Sequence, residues 1–107
     1  MLKKTGILLA AMLASSSFAA ADQLDTYKQQ YCTAFERLIL SSVNDRYGNV
    51  PLEDALEGVS NHKAQNLIID IYRRDLPEDE EGMVALYSIV TSQAEVACWE
   101  YLAERYP

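Results

Sequence analysis

Along most of the chain, apolar residues return after three or four positions rather than after two, the period of a helix with one buried face and not of a strand. The first helix is predicted from about Asp22 to Tyr47. On a wheel of about 100° per residue, Ala34, Tyr27, Leu38, Tyr31, Leu24, Phe35, Ile39, Cys32 and Val43 fall on one connected arc, while Gln29, Gln30, Thr33, Glu36, Arg37 and Ser41 fall opposite. Asp22 is the expected N-cap, and Gly48 stands where left-handed helix ends favour glycine. Gly48-Asn49-Val50-Pro51 reads as a turn, with Pro51 suited to a fresh helix start. Leu52, Ala55, Leu56 and Val59 define a short second helix, ended by Gly58 and Ser60-Asn61. A third, from about His62 to Asp75, turns Ala64, Leu67, Ile68, Ile71 and Tyr72 inward and is stopped by Pro77.

The last helix begins within Glu78-Asp79-Glu80-Glu81, whose charges suit the positive end of a helix dipole, and runs to about Arg105. Met83, Tyr87, Val90, Ala94, Ala97 and Tyr101 alternate at four and three and form a packing seam, with Cys98 beside it. A second apolar strip, Ala85, Ile89, Val96, Trp99 and Ala103, is set apart by Ser88, Ser92 and Glu95 on one side and by Gln93, Glu100 and Glu104 on the other. Either residues 51–76 pack over this strip and complete the core, or the strip meets a partner or a second copy of the chain. Trp and Tyr concentrate in interface hot spots, so Trp99, Val96, Ile89 and Tyr106 are the candidate partner-binding residues.

The N-terminus reads differently. Lys3 and Lys4 precede an apolar run from Ile7 to Ala14, then Ser15-Ser16-Ser17-Phe18 and Ala19-Ala20-Ala21, which is the layout of a cleavable export signal over residues 1–21 and too short to span a bilayer. Cleavage is expected before Asp22, leaving residues 22–107 as a single helical domain with no membrane insertion. The whole chain holds 9 basic and 16 acidic residues; removing Lys3 and Lys4 leaves 7 against 16, a net charge of −9. That balance argues against nucleic acid and anionic membrane surfaces as partners and leaves basic protein surfaces open.

Two cysteines in an exported chain of this size most simply form one disulfide, since the compartment is oxidising and a small core gains from a covalent staple, the alternatives being a cross-linked dimer or a redox-active pair, which the lack of C-x-x-C spacing disfavours. Joining Cys32 to Cys98 closes a loop of about 67 residues, for which chain entropy gives roughly 4 kcal/mol as an upper figure. Cys32 stands near the start of the first helix and Cys98 near the end of the last, so the two long helices must run antiparallel. Residues 51–76 must then fold as a short hairpin that returns the chain to the same end. The predicted fold is all-α: a small four-helix arrangement of two long antiparallel helices joined by a disulfide, plus a short helical hairpin.

Candidate chemistry changes little. There is a single histidine, His62, near a predicted helix start, and neither G-x-S-x-G nor H-E-x-x-H occurs, so no catalytic residue, metal ligand or cofactor is expected. The run Glu78 to Glu81 lacks the alternating oxygen ligands and the glycine of a calcium loop. Glu95 with Tyr87 and Arg105 is a candidate polar cluster. Of the seven tyrosines, most are expected in the core with the hydroxyl at the rim, with Tyr47, Tyr72 and Tyr106 the better candidates for exposure.

The pattern Cys32-x-x-Phe35-x-x-Leu38-x-x-x-x-Val43-x-x-Arg46-x-Gly48, then Pro51-Leu52-x-x-Ala55-Leu56, then Ile68-x-x-Ile71-Tyr72 and a late Cys98 resembles small exported helical proteins of Gram-negative bacteria with one disulfide. The resemblance implies a periplasmic location and carries no activity. In plan the chain also resembles the acid-resistance chaperones of the enterobacterial periplasm, whose cysteines stand closer together, and periplasmic immunity proteins against secreted cell-wall toxins. The function expected first is non-enzymatic binding of a protein partner, as adaptor, inhibitor or immunity protein, the partner being a periplasmic protein with a basic surface or a second copy. The alternatives are an acid or stress chaperone, and binding of a small ligand within the bundle, where Met83 and the tyrosines would line a cavity.

Overall fold

The computed structural model describes the backbone of residues 2–107 and the side chains of residues 22–107. It contains α1 (Leu2–Tyr47), α2 (Leu52–Ala55), α3 (His62–Arg73) and α4 (Glu80–Arg105), and among the described residues there is no strand. The export signal read over residues 1–21 falls on Met1 and on side chains outside that description. By compactness the chain divides into residues 1–30 and residues 31–107.

The first unit is helical from Leu2 onward. Asp22 lies inside α1 and caps nothing, because the helix continues through it. Leu24 and Tyr27, expected on the buried arc, are exposed. Periodicity fixes which side of a helix is apolar, but not how far along the helix that side is covered.

In the second unit the two long helices run antiparallel, and the pairings that show it ascend along one chain as they descend along the other. Tyr31 stacks on Tyr101 with ring centroids 5.7 Å apart. Cys32 is bonded to Cys98 with their Cα atoms at 5.6 Å, inside the range a disulfide spans without backbone movement. Tyr87 donates from its hydroxyl to Asn44 Oδ1. The Tyr47 hydroxyl donates to the Pro77 carbonyl at 2.7 Å. The disulfide therefore lies at one end of the helix pair, and the two tyrosine hydroxyls close the other.

The residues that α1 gives to the core are Cys32, Phe35, Ile39, Ser42 and Val43, all buried. Ala34 is exposed, so the true inner face is rotated from the predicted arc. Ser42 joins it because its hydroxyl donates to the Leu38 carbonyl one turn back at 3.1 Å, which satisfies the group without a partner across the core. α1 ends in a six-residue cap: Val50 N–H reaches the Asp45 carbonyl at 2.9 Å and Asn49 N–H the Arg46 carbonyl at 3.3 Å. The left-handed residue there is Asn49, with φ of 60°, and not Gly48 as predicted. Asparagine tolerates that conformation better than other side-chain-bearing residues.

Residues 51–76 return the chain as expected, but the descending limb is only partly helical. α2 is a single turn, ended at Leu56 rather than Val59. α3 is capped by Asn61, whose Oδ1 accepts from Lys63 N–H at 2.9 Å and Ala64 N–H at 3.2 Å. Asn61 Nδ2 also donates to the Tyr31 hydroxyl at 2.9 Å, while at the far end of α3 the Tyr72 hydroxyl donates to the Val50 carbonyl at 2.7 Å. α3 thus runs parallel to α1, and it buries Ala64, Ile68 and Ile71 in the shared core. It ends at Arg73, short of the predicted Asp75, as the approach to Pro77 turns extended. Asp79 caps α4 by accepting from Gly82 N–H at 3.3 Å, with Glu80 and Glu81 in the first turn. Gly82 is required by this close approach, since a Cβ there would stand 2.6 Å from Pro77 Cβ.

Removing the disulfide by the Cys32→Ser, Cys98→Ser pair is expected to leave the helix signal in circular dichroism while lowering stability by up to roughly 4 kcal/mol. Amide exchange should rise first around Cys32 and Cys98 rather than near Asn44 and Tyr87, where hydrogen bonds still hold the helices. Burial raises the pKa of Tyr47 above its ordinary 10.0, with Tyr87 and Asp79 adding to the shift. Burial does the same for Tyr72, where Asp45 and Asp54 add to the shift and Arg46 opposes it. A phenol with a raised folded pKa contributes stability that is intact below its unfolded value and lost as pH rises through the folded one. Melting temperature should therefore fall as pH climbs above 10, and the Tyr47→Phe, Tyr72→Phe pair should flatten that decline.

Candidate functional site

α4 carries apolar residues on two opposite faces, and the fold consumes one of them. Leu86, Val90, Ala94, Cys98 and Leu102 are buried, each four residues after the last, and form the inner row. Of the predicted seam, Val90 and Ala94 lie in this row, while Met83, Tyr87, Ala97 and Tyr101 are half-buried. Leu86 and Leu102 were missing from that seam because their spacing of four drifts around the helix by about 40° per step, a slope that the alternating pattern of a straight seam does not follow.

Ala85, Ile89, Val96, Trp99 and Ala103 lie about half a revolution from the inner row at roughly 100° per residue. None is covered. Ile89 is 48%, Val96 58% and Trp99 40% exposed, and Ala85 and Ala103 are also exposed. Residues 51–76 therefore do not complete the core over this strip: α3 packs beside it, on the flank of α4 that carries Gln93, Glu100 and Glu104. Arg74 ties that flank from the end of α3, donating to Gln93 Oε1 at 3.1 Å. Lys63 ties it from the start of α3, with Nζ at 3.6 Å from both Glu100 and Glu104.

Along this junction runs a groove of about 450 Å³, lined by Leu67 and Asp70 of α3 and by Ser92, Gln93, Val96, Ala97 and Glu100 of α4. Val96 belongs both to the groove and to the exposed strip, so the two form one surface. Its rim is acidic in effect as well as in count. The Lys63 side chain is 21% exposed, while those of Glu100 and Glu104 are 62% and 63% exposed. The cation lies low against the helices and the carboxylates project from them. Glu95 is exposed on the opposite flank of the strip.

Tyr106 is the C-cap residue of α4, its N–H donating to the Leu102 carbonyl at 2.8 Å, and it is exposed at the end where the strip finishes. Tyr47 and Tyr72, expected to be exposed, are half-buried and tied by their hydroxyls to backbone carbonyls, whereas Tyr27 is the more exposed ring. Glu95, Tyr87 and Arg105 do not form a cluster: Tyr87 bonds to Asn44, and the Arg105 guanidinium lies over the Tyr101 ring at 5.3 Å. His62 is exposed at the first position of α3. Met83 lines neither the groove nor the 220 Å³ cavity between α1 and α3. Among the described residues no three His, Cys, Asp or Glu side chains converge as a metal site, and no helix is long and apolar enough to cross a membrane. The groove residues Leu67, Asp70 and Gln93 carried no signal in the sequence beyond helical period, because their role depends on how α3 and α4 lie side by side.

No family model, curated protein or solved structure matches this chain.

The two faces of α4 should respond differently to substitution. Ile89→Gln and Val96→Gln are expected to change stability by no more than about 0.5 kcal/mol. Val90→Gln, which places an amide in the core without a partner, should cost several-fold more or prevent folding. Denaturant unfolding of the three variants reads the difference.

Proposed function

We propose that this is an exported, periplasmic, non-enzymatic protein that binds another protein through the outer face of α4. The observation that carries the reading is the row Ile89, Val96 and Trp99, exposed along a helix whose opposite face is fully packed. A helix held by a disulfide and a packed inner row presents such a row with its backbone already ordered, and preorganisation of this kind favours affinity. Export is supported by the signal pattern at the N-terminus and by a disulfide that closes most of the remaining chain.

The rim selects the partner. Glu95, Glu100 and Glu104 flank the strip, and Glu80 and Glu81 start the same helix. A partner with Lys or Arg around an apolar contact matches this surface, whereas a second copy brings carboxylates against carboxylates. Like charges placed together across an interface cost affinity and slow encounter. A chaperone opened by acid would need a fold that rests on ionised carboxylates. The ion pairs of Lys63 and Arg74 lie at the surface with their carboxylates exposed, and they contribute little to stability.

The test is a photo-crosslinking residue at position 89 in the full chain, expressed in a Gram-negative periplasm. One dominant adduct with a basic protein is expected, reduced at least about tenfold by Trp99→Ala and weakened by added salt. An adduct composed only of the chain itself would point to self-association. No adduct, or one indifferent to Trp99→Ala, would overturn the reading.

A further inference from the structure

Between α1, the segment 58–60 and the start of α3 the fold leaves a cavity of about 220 Å³, which shares no lining residue with the α3–α4 groove. Its apolar walls are Phe35, Leu38 and Val59, and its space comes from Ala34, Gly58 and Ala64. Each small residue has its own reason to stay small. Gly58 has φ of 75°, a conformation that strains a larger residue, and a Cβ there would meet nothing within 4 Å. Ala64 is fully buried where α3 begins. Ala34 stands exposed at the mouth, an apolar position on the outside of the inner face of α1.

The polar edge of the cavity is built rather than loose. Asn61 spends its Oδ1 on the Lys63 and Ala64 N–H groups and one amide hydrogen on the Tyr31 hydroxyl at 2.9 Å, so the carboxamide is fixed with its second N–H remaining. Gln65 Nε2 donates to the Val59 carbonyl at 2.7 Å and holds the segment 58–60 against α3. Ser60 adds a hydroxyl, and no charged side chain lines the space.

An engineered apolar cavity of about 150 Å³ stays dry and takes up benzene. The space here is larger but open to solvent along Ala34, Gly58 and Ser60, and has room for one ring with a short substituent. We infer that the cavity binds a neutral, single-ring aromatic compound carrying one hydrogen-bonding group. The ring lies against Phe35 and Leu38, and the polar group meets Asn61 and Ser60. A charged analogue would give up part of its hydration at a site with no counter-charge, which is unfavourable. This site is independent of the outer face of α4.

The test is titration of the protein with p-cresol, followed residue by residue through amide NMR shifts, with benzoate as the charged control. Saturable displacement of the Ala34, Val59, Asn61 and Ala64 amides is expected, with a Kd of about 1 mM from the size of the probe. Benzoate should bind at least about tenfold more weakly. Ala34→Leu fills the mouth from an exposed position and should abolish saturation without lowering the melting temperature; Ala34→Met serves if that variant fails to fold. Linear, unsaturated shifts, unchanged binding by the filled variant, or displacement centred on Leu67, Ser92 and Val96 would each overturn the site. Equal affinity for benzoate would overturn the neutral class of ligand.

Discussion

The antiparallel pairing of α1 with α4 is the constraint from which the other features follow. It is held covalently at one end by Cys32 and Cys98, and by hydrogen bonds at the other, where Tyr87 meets Asn44 and Tyr47 meets the Pro77 carbonyl. Because α1 ends and α4 begins at the same end of the unit, the intervening chain must descend and climb again between them. The climb is α3. The descent has only the residues from Val50 to Asn61, too few for two antiparallel helices of equal length, so α2 shrinks to one turn and the chain finishes the distance in a looser form. The cavity at Gly58 and Ala64 lies where that looser segment meets α1.

The same constraint explains why α4 keeps an uncovered face. A helix can be enclosed only if neighbours reach it from several sides, and the second unit supplies two: α1 over the inner row and α3 along one flank. Covering the outer strip would need a further helix, or a longer hairpin between α1 and α4. Apolar residues on a face that the fold does not cover are neutral for stability at best. Ile89, Val96 and Trp99 therefore have no account in the packing of residues 31–107. They align with one another and, through Val96, with the α3–α4 groove, which is the arrangement the proposed recognition role rests on.

The sequence made the helices, the disulfide and the topology legible because each rests on a strong local or covalent signal: a period of three and four, turn residues at Gly48 to Pro51, and two cysteines far apart in the chain. It was weaker on rotation about the helix axis. Ala34, Tyr27 and Leu24 look as apolar as Phe35 and Ile39, and only a neighbour decides which are covered. Ser42 looks polar, yet a bond to its own helix lets it enter the core. On α4 the seam and the outer strip are both visible in the pattern, and nothing local distinguishes the face that meets α1 from the face that meets nothing. Leu86 and Leu102 escaped for the related reason that a row of fours slants across the helix. The α3–α4 groove and the cavity by Gly58 are properties of packing between elements, with no sequence signature of their own.

Charge gives the outer face of α4 a direction. An apolar row on a rigid helix would ordinarily promote association between copies, and a protein that remains free for a partner needs something to oppose it. In the proposed reading the projecting carboxylates of Glu95, Glu100 and Glu104 fill that part, since rows that meet face to face also bring their rims together. At physiological ionic strength their field reaches only about 8 Å, so it acts at the moment of contact rather than at a distance. Lys63 and Arg74 do not cancel it, because they lie low between α3 and α4 and leave the carboxylates outermost. Under the proposed reading, the same rim that opposes a second copy suits a surface bearing Lys and Arg around an apolar contact. In that reading apolar contact would supply affinity and the rim discrimination, two roles carried by different residues of one helix.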